Sequence, residues 1–197
     1  NIDLEYRCSN GENLQLRYYE RDKSKRLNKN ITTLYTFENF IVNDNNEFAY
    51  NAALAVCDNY GNTYNPLFIY GDNGAGKTHL INAIKNKILL KNPKVKIMHL
   101  SSEYFIRQLV ISIKNNDKAH YRKQFFDIDI LIIEDIQFII GKNKIEEEFL
   151  YILDFLYNKK IQIILSSDIE PSKLYFDSLS LKDRIWNGLL VPISKKG

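Results

Sequence analysis

Gly71-Asp72-Asn73-Gly74-Ala75-Gly76-Lys77-Thr78 decides how the rest of the chain is read. It fits G-x-x-x-x-G-K-[ST], and the spacing has a chemical reason. Glycines let the backbone curl until successive N–H groups converge on phosphate oxygens. A helix starting at the end of the loop adds its positive dipole end. Lys77 would reach the β- and γ-phosphates, and the Thr78 hydroxyl would hold Mg²⁺. The flanks agree with this. Leu67-Phe68-Ile69-Tyr70, opened by Pro66, has the length and composition of a buried strand. Leu80, Ile81, Ile84, Ile88 and Leu89 recur at helical spacing and stop before Pro93. A strand, a glycine turn and a helix in that order make a nucleotide-phosphate site.

Such a site needs a carboxylate across the sheet. Ile130-Leu131-Ile132-Ile133-Glu134-Asp135 supplies a buried strand ending in two acids. One is expected to act on Mg²⁺ through water, and the next to orient the attacking water. Ile161 to Leu165 is another apolar run, leading to Ser166-Ser167-Asp168. There Asp168 either senses the γ-phosphate or caps the strand end.

Further strands are read at Val95–Leu100 and Leu189–Ile193. Helices are expected at Ser102–Ile113, Lys118–Phe125, Glu146–Tyr157 and near Leu181. Upstream, a helix is expected to bury Phe48, Ala52, Ala55 and Val56 behind a cap at Asn45 or Asn46. Short apolar strands alternating with helices mean an α/β fold with a mostly parallel sheet covered on both faces. The first 33 residues differ: Arg17, Arg21, Lys23, Lys25, Arg26 and Lys29 crowd a polar stretch that reads as a basic linker or the end of an upstream region.

The 197 residues suit one domain large enough to need no disulfide staple. The 45% apolar and 26% charged content excludes wholesale disorder. No apolar run nears the ~20 residues of a membrane span, and no signal peptide is read at the start. Cys8 and Cys57 lack metal spacing and read as reduced thiols, consistent with a cytoplasmic location. A net charge of +3 permits a nucleic-acid partner without demanding one. The three histidines, His79, His99 and His120, are scattered and read as structural.

Tyr35-Thr36-Phe37-Glu38-Asn39-Phe40, Asn65 to Gly71, Gly76-Lys77-Thr78-His79-Leu80, Ser101-Ser102-Glu103, Glu134-Asp135-Ile136-Gln137-Phe138, Ser166-Ser167-Asp168 and Gly188-Leu189 follow one another in an order that resembles the bacterial replication initiators of the DnaA family. The resemblance runs from about Leu34 to Ile193 and covers their AAA+ ATP-binding core. It implies a P-loop core with a five-stranded parallel sheet ordered 5-1-4-3-2, taking residues 34–197 as the core and 1–33 as the preceding linker. It also implies an ATP/ADP switch with slow hydrolysis, Mg²⁺ as the metal, and self-assembly into a filament on origin DNA that helps to unwind it. A replicative helicase or its loader is a further implied partner. Gly71, Gly74, Ala75, Gly76, Lys77, Thr78 and His79 would bind the nucleotide. Glu134, Asp135 and Asp168 would act on it with Thr78, and Arg184 would reach the γ-phosphate of a neighbouring subunit. Val110 and Lys144 would face single-stranded DNA.

Departures from the family pattern are also visible. Glu134 stands where an aspartate is usual, Ser180 replaces an arginine, and Trp186 sits one position early. A helical lid and a helix-turn-helix domain fall outside these residues. An AAA+ helicase loader or an initiator-regulating adaptor shares the core and is the rival reading. A P-loop kinase would need an acceptor pocket for which no residue cluster is visible. Phe40, Ile41 and Val42 are the expected wall for the base.

Overall fold

A computed structural model describes residues 34–194, so the basic linker segment and Cys8 lie outside the described residues. The strands are β1 (Leu67–Tyr70), β2 (Ile97–Ser101), β3 (Ile130–Glu134), β4 (Gln162–Ser167) and β5 (Leu189–Pro192). They form one sheet in the order β2-β3-β4-β1-β5, with every ladder parallel. Read from the other edge this is the expected 5-1-4-3-2. The helices are α1 (Glu47–Asp58), α2 (Lys77–Lys91), α3 (Ser102–Lys114), α4 (Lys118–Lys123), α5 (Asn143–Asn158) and α6 (Leu179–Trp186).

The unbroken apolar runs are explained by what each face meets. Leu67, Ile69, Ile130, Ile132, Ile164 and Val191 point to one side and pack with α1 and α2. Phe68, Leu131, Ile133, Ile163 and Leu165 point to the other and pack with α3, α4, α5 and α6. Side chains alternate along a strand, so a strand covered on both faces reads as a near-continuous apolar run.

Element boundaries fall within a few residues of expectation, except that α5 begins one turn early, at Asn143. Two local expectations are corrected. Helix α1 buries Ala49, Ala52, Ala53, Val56 and Cys57, while Phe48 is 56% exposed. Asn46 does occupy the N-cap position of α1, but its side chain makes no capping bond. Its Oδ1 instead accepts from the Asn43 N–H at 2.8 Å, and its Nδ2 donates to the Ile41 carbonyl at 3.0 Å, folding the entry loop on itself.

Candidate nucleotide-binding site

The C-terminal ends of β1, β3 and β4 converge, because the sheet order sets β4 between the other two. Ligands in open parallel sheets bind outside the carboxyl ends of the strands, where the connections leaving two neighbouring strands diverge. Behind β1 the loop turns through Gly71, Gly74 and Gly76, with φ of 152°, 75° and 109°. Two of these positions tolerate nothing larger. A Cβ at Gly71 would lie 1.8 Å from the Ile193 carbonyl oxygen, and one at Gly76 would meet the Phe40 ring at 3.3 Å in a left-handed conformation. Gly76 is the N-cap of α2, so the free N–H groups of the helix's first turn point at the loop.

Lys77 is 6% exposed and folds back under the loop. Its ammonium donates to the carbonyls of Gly71 (2.6 Å) and Asp72 (3.0 Å) and pairs with Asp168 Oδ1 at 2.6 Å. Asp168 is itself held by Gln137. The Gln137 amide donates to Oδ2 at 3.4 Å, and its carbonyl accepts from the Asp168 N–H at 3.3 Å. Asp168 therefore bonds the lysine directly.

On the other side of the loop, the Thr78 hydroxyl donates to Glu134 Oε2 at 2.6 Å. His99 Nε2 lies 2.6 Å from Glu134 Oε1, and the Ser102 hydroxyl donates to the Glu134 carbonyl at 2.8 Å. Burial pushes the Glu134 carboxyl up, but the bonds from His99 and Thr78 outweigh it and hold the group below the ordinary glutamate value. Burial and the neighbouring Asp168 charge hold Asp135 above its ordinary value. Asp135 also adopts a left-handed backbone, φ 62° and ψ 46°, fastened by its N–H to the Ser166 hydroxyl at 3.3 Å. Non-glycine residues pay for that conformation, which turns the chain sharply after β3. The Thr78 hydroxyl and Glu134 carboxylate are hard oxygen donors, a set suited to Mg²⁺.

The remaining expected residues lie further out. Ala75 sits in the loop between Gly74 and Gly76. The His79 ring turns away from it, bonding the Thr36 carbonyl at 2.9 Å and meeting Phe40 edge-on at 5.1 Å. Ile41 and Val42 are exposed beside the buried Phe40. A cleft of about 400 Å³ opens between the ends of β1, β4 and β5, lined by Gly71, Asp72, Asp168, Lys173 and Ile193 among others. Arg184 lies on α6, its Nε donating to Asp154 Oδ1 at 2.6 Å and its guanidinium 4.4 Å from the Tyr157 ring. Val110 on α3 is half-buried against the second core, and Lys144 at the start of α5 is exposed. Sequence reasoning did not anticipate the contact of His99 with Glu134 or that of Arg184 with Asp154. Both depend on strand register and helix packing.

This arrangement defines a P-loop nucleotide-binding module of the AAA+ class. The chain belongs to the bacterial DnaA ATPase domain family, which matches residues 31–192. The chromosomal replication initiator protein DnaA of Citrifermentans bemidjiense is 42% identical over 173 residues, covering 88% of this chain and 38% of that protein. The chain thus spans well under half the length of that relative. Domain III of the Thermotoga maritima replication initiation protein DnaA superposes with a TM-score of 0.80 at 39% identity, over 85% of this chain and 70% of that one. A replication initiator DnaA solved with AMPPCP and single-stranded DNA gives a TM-score of 0.77 at 37% identity, over 84% and 51%.

Proposed function

We propose that this chain is the ATP-binding switch of a replication initiator, assembling on origin DNA with ATP bound and helping to open the duplex. The observation that supports it most is the convergence of Lys77, Thr78, Glu134 and Asp168 at one sheet edge in a chain of this family. The stretch Gly71 to His79 takes the phosphates, His79 through its place in the first turn of α2 rather than its ring. Lys77 exchanges the Gly71 and Asp72 carbonyls and Asp168 for phosphate oxygens. Released, Asp168 carries that change through Gln137 to the turn after β3. Thr78 and Glu134 hold Mg²⁺, which when bound neutralises charge on the β- and γ-phosphates. Asp135, kept more basic than an ordinary aspartate, accepts a hydrogen bond from the attacking water. Hydrolysis then switches the protein off. Residues 34–197 act as the core and 1–33 as a basic linker or the end of an upstream region. Arg184 reaches a neighbouring subunit's nucleotide, and Val110 and Lys144 touch single-stranded DNA with a sequence-tolerant contact. A replicative helicase or its loader is the next partner in line.

The test is fluorescence anisotropy of a labelled single strand, titrated with ATP, ADP or neither at two salt concentrations. ATP-dependent, salt-sensitive binding is expected. No DNA binding beside intact nucleotide binding would favour an adaptor or loader instead.

A further inference from the structure

His99 and Glu134 belong to neighbouring parallel strands, and the register sets Ser101 opposite Glu134 and His99 opposite Ile132. Residues two apart on a strand share a face, so the imidazole stands on Glu134's side of the sheet, one step back from the edge. Each carboxylate oxygen has its own hydrogen-bond partner. Oε1 is 2.6 Å from His99 Nε2 and Oε2 is 2.6 Å from the Thr78 hydroxyl. Both side chains are mostly enclosed, at 19% exposed for His99 and 17% for Glu134. An aspartate, shorter by one methylene or about 1.5 Å, could not keep both contacts. The histidine and the longer acid therefore form a matched pair.

We propose that His99 is a positioning residue for Glu134, donating from Nε2 to Oε1 so that Oε2 alone faces Thr78 and the Mg²⁺ of a bound nucleotide. The proposal rests on the reading of Thr78 and Glu134 as the metal end of the site. Glutamate has one more rotatable bond than aspartate, and a carboxylate that swings freely organises a metal poorly. Fixing one oxygen removes that freedom, as outer-sphere partners do for ligating side chains in general.

The test is a double-mutant cycle on the 197-residue chain, read by anisotropy of a fluorescent ATP analogue titrated with Mg²⁺ and, separately, with Mg²⁺ chelated. His99→Phe, which keeps bulk and loses the donor, is expected to raise the Mg²⁺ half-saturation about tenfold. The affinity measured under chelation should not change. His99→Gln, which keeps a donor, should recover most of the loss. In the Glu134→Asp background, His99→Phe should change the half-saturation less than twofold. An equal effect of His99→Phe in both backgrounds, or no rescue by His99→Gln, would overturn the proposal while leaving the nucleotide site standing. Loss of affinity under chelation as well would make His99 a structural residue. If the unsubstituted chain binds no nucleotide, the reading beneath the proposal fails and takes the proposal with it.

Discussion

Two buried charges carry most of what single residues decide here. Lys77 is enclosed, and its three partners are all oxygens of its own loop and of Asp168. Lys77→Ala is expected to abolish ATP and ADP binding in a filter or anisotropy assay while preserving the circular dichroism spectrum. Glu146 has the opposite task. It is fully buried and accepts from the N–H groups of Gly141 (2.6 Å), Asp177 (3.3 Å) and Ser178 (2.7 Å), joining the start of α5 to the start of α6. Glu146→Ala leaves those donors without a partner and should cost about 3 kcal/mol in urea denaturation, with nucleotide affinity largely retained. The first of these residues was legible in the chain because a phosphate loop imposes a fixed spacing. Glu146 was not, since nothing in an i, i+3, i+4 pattern marks a carboxylate destined for backbone donors at Gly141 and, some thirty positions on, at Asp177 and Ser178. His99 escaped for the same reason: its partner is set by strand register, which a linear pattern does not contain.

Among the elements, α4 is the clearest case of a short helix fixed by charge. Lys118 and Arg122 both grip Glu148 of α5, at 2.6 and 2.7 Å, and the Arg122 guanidinium lies 3.7 Å from the Tyr151 ring. Burial pushes the Glu148 carboxyl up, but these two cations outweigh it and hold the group below its ordinary 4.5. A lowered folded value means stability present above 4.5 and lost as the pH falls through the folded value. Glu148→Gln should therefore cost about 1–2 kcal/mol at neutral pH. Thermal melts of the two proteins should converge as the medium is acidified below that range. Helix α1 teaches a different point. Counting apolar residues favours a face built on Phe48, yet the helix turns its alanines inward and leaves Phe48 in solvent. Small side chains let α1 lie close to α2, and close packing of backbone outweighs the size of one ring. The strands were easier to read, because a sheet covered on both faces writes itself as uninterrupted apolar runs.

On the scale of the whole molecule, the residue assigned to a neighbour's nucleotide is held by its own chain. Arg184 is paired with Asp154 and stacked on Tyr157, so reaching across a subunit boundary means giving up both. Arg184→Ala should leave ATP affinity unchanged and remove ATP-dependent assembly in analytical ultracentrifugation. Normal assembly by that variant would show that the residue has no role between subunits.

The pairing of β5 with β1 has a consequence for how such a protein comes into being. Leu189–Pro192 joins Leu67–Tyr70, and the Ile193 carbonyl closes directly over Gly71. A ribosome therefore releases the phosphate loop long before it releases the strand that braces it. The nascent chain carries Lys77, Thr78, Glu134 and Asp168 while the loop still lacks the strand beside β1. Gly71 thus meets the Ile193 carbonyl it packs against only at the end of synthesis of this segment.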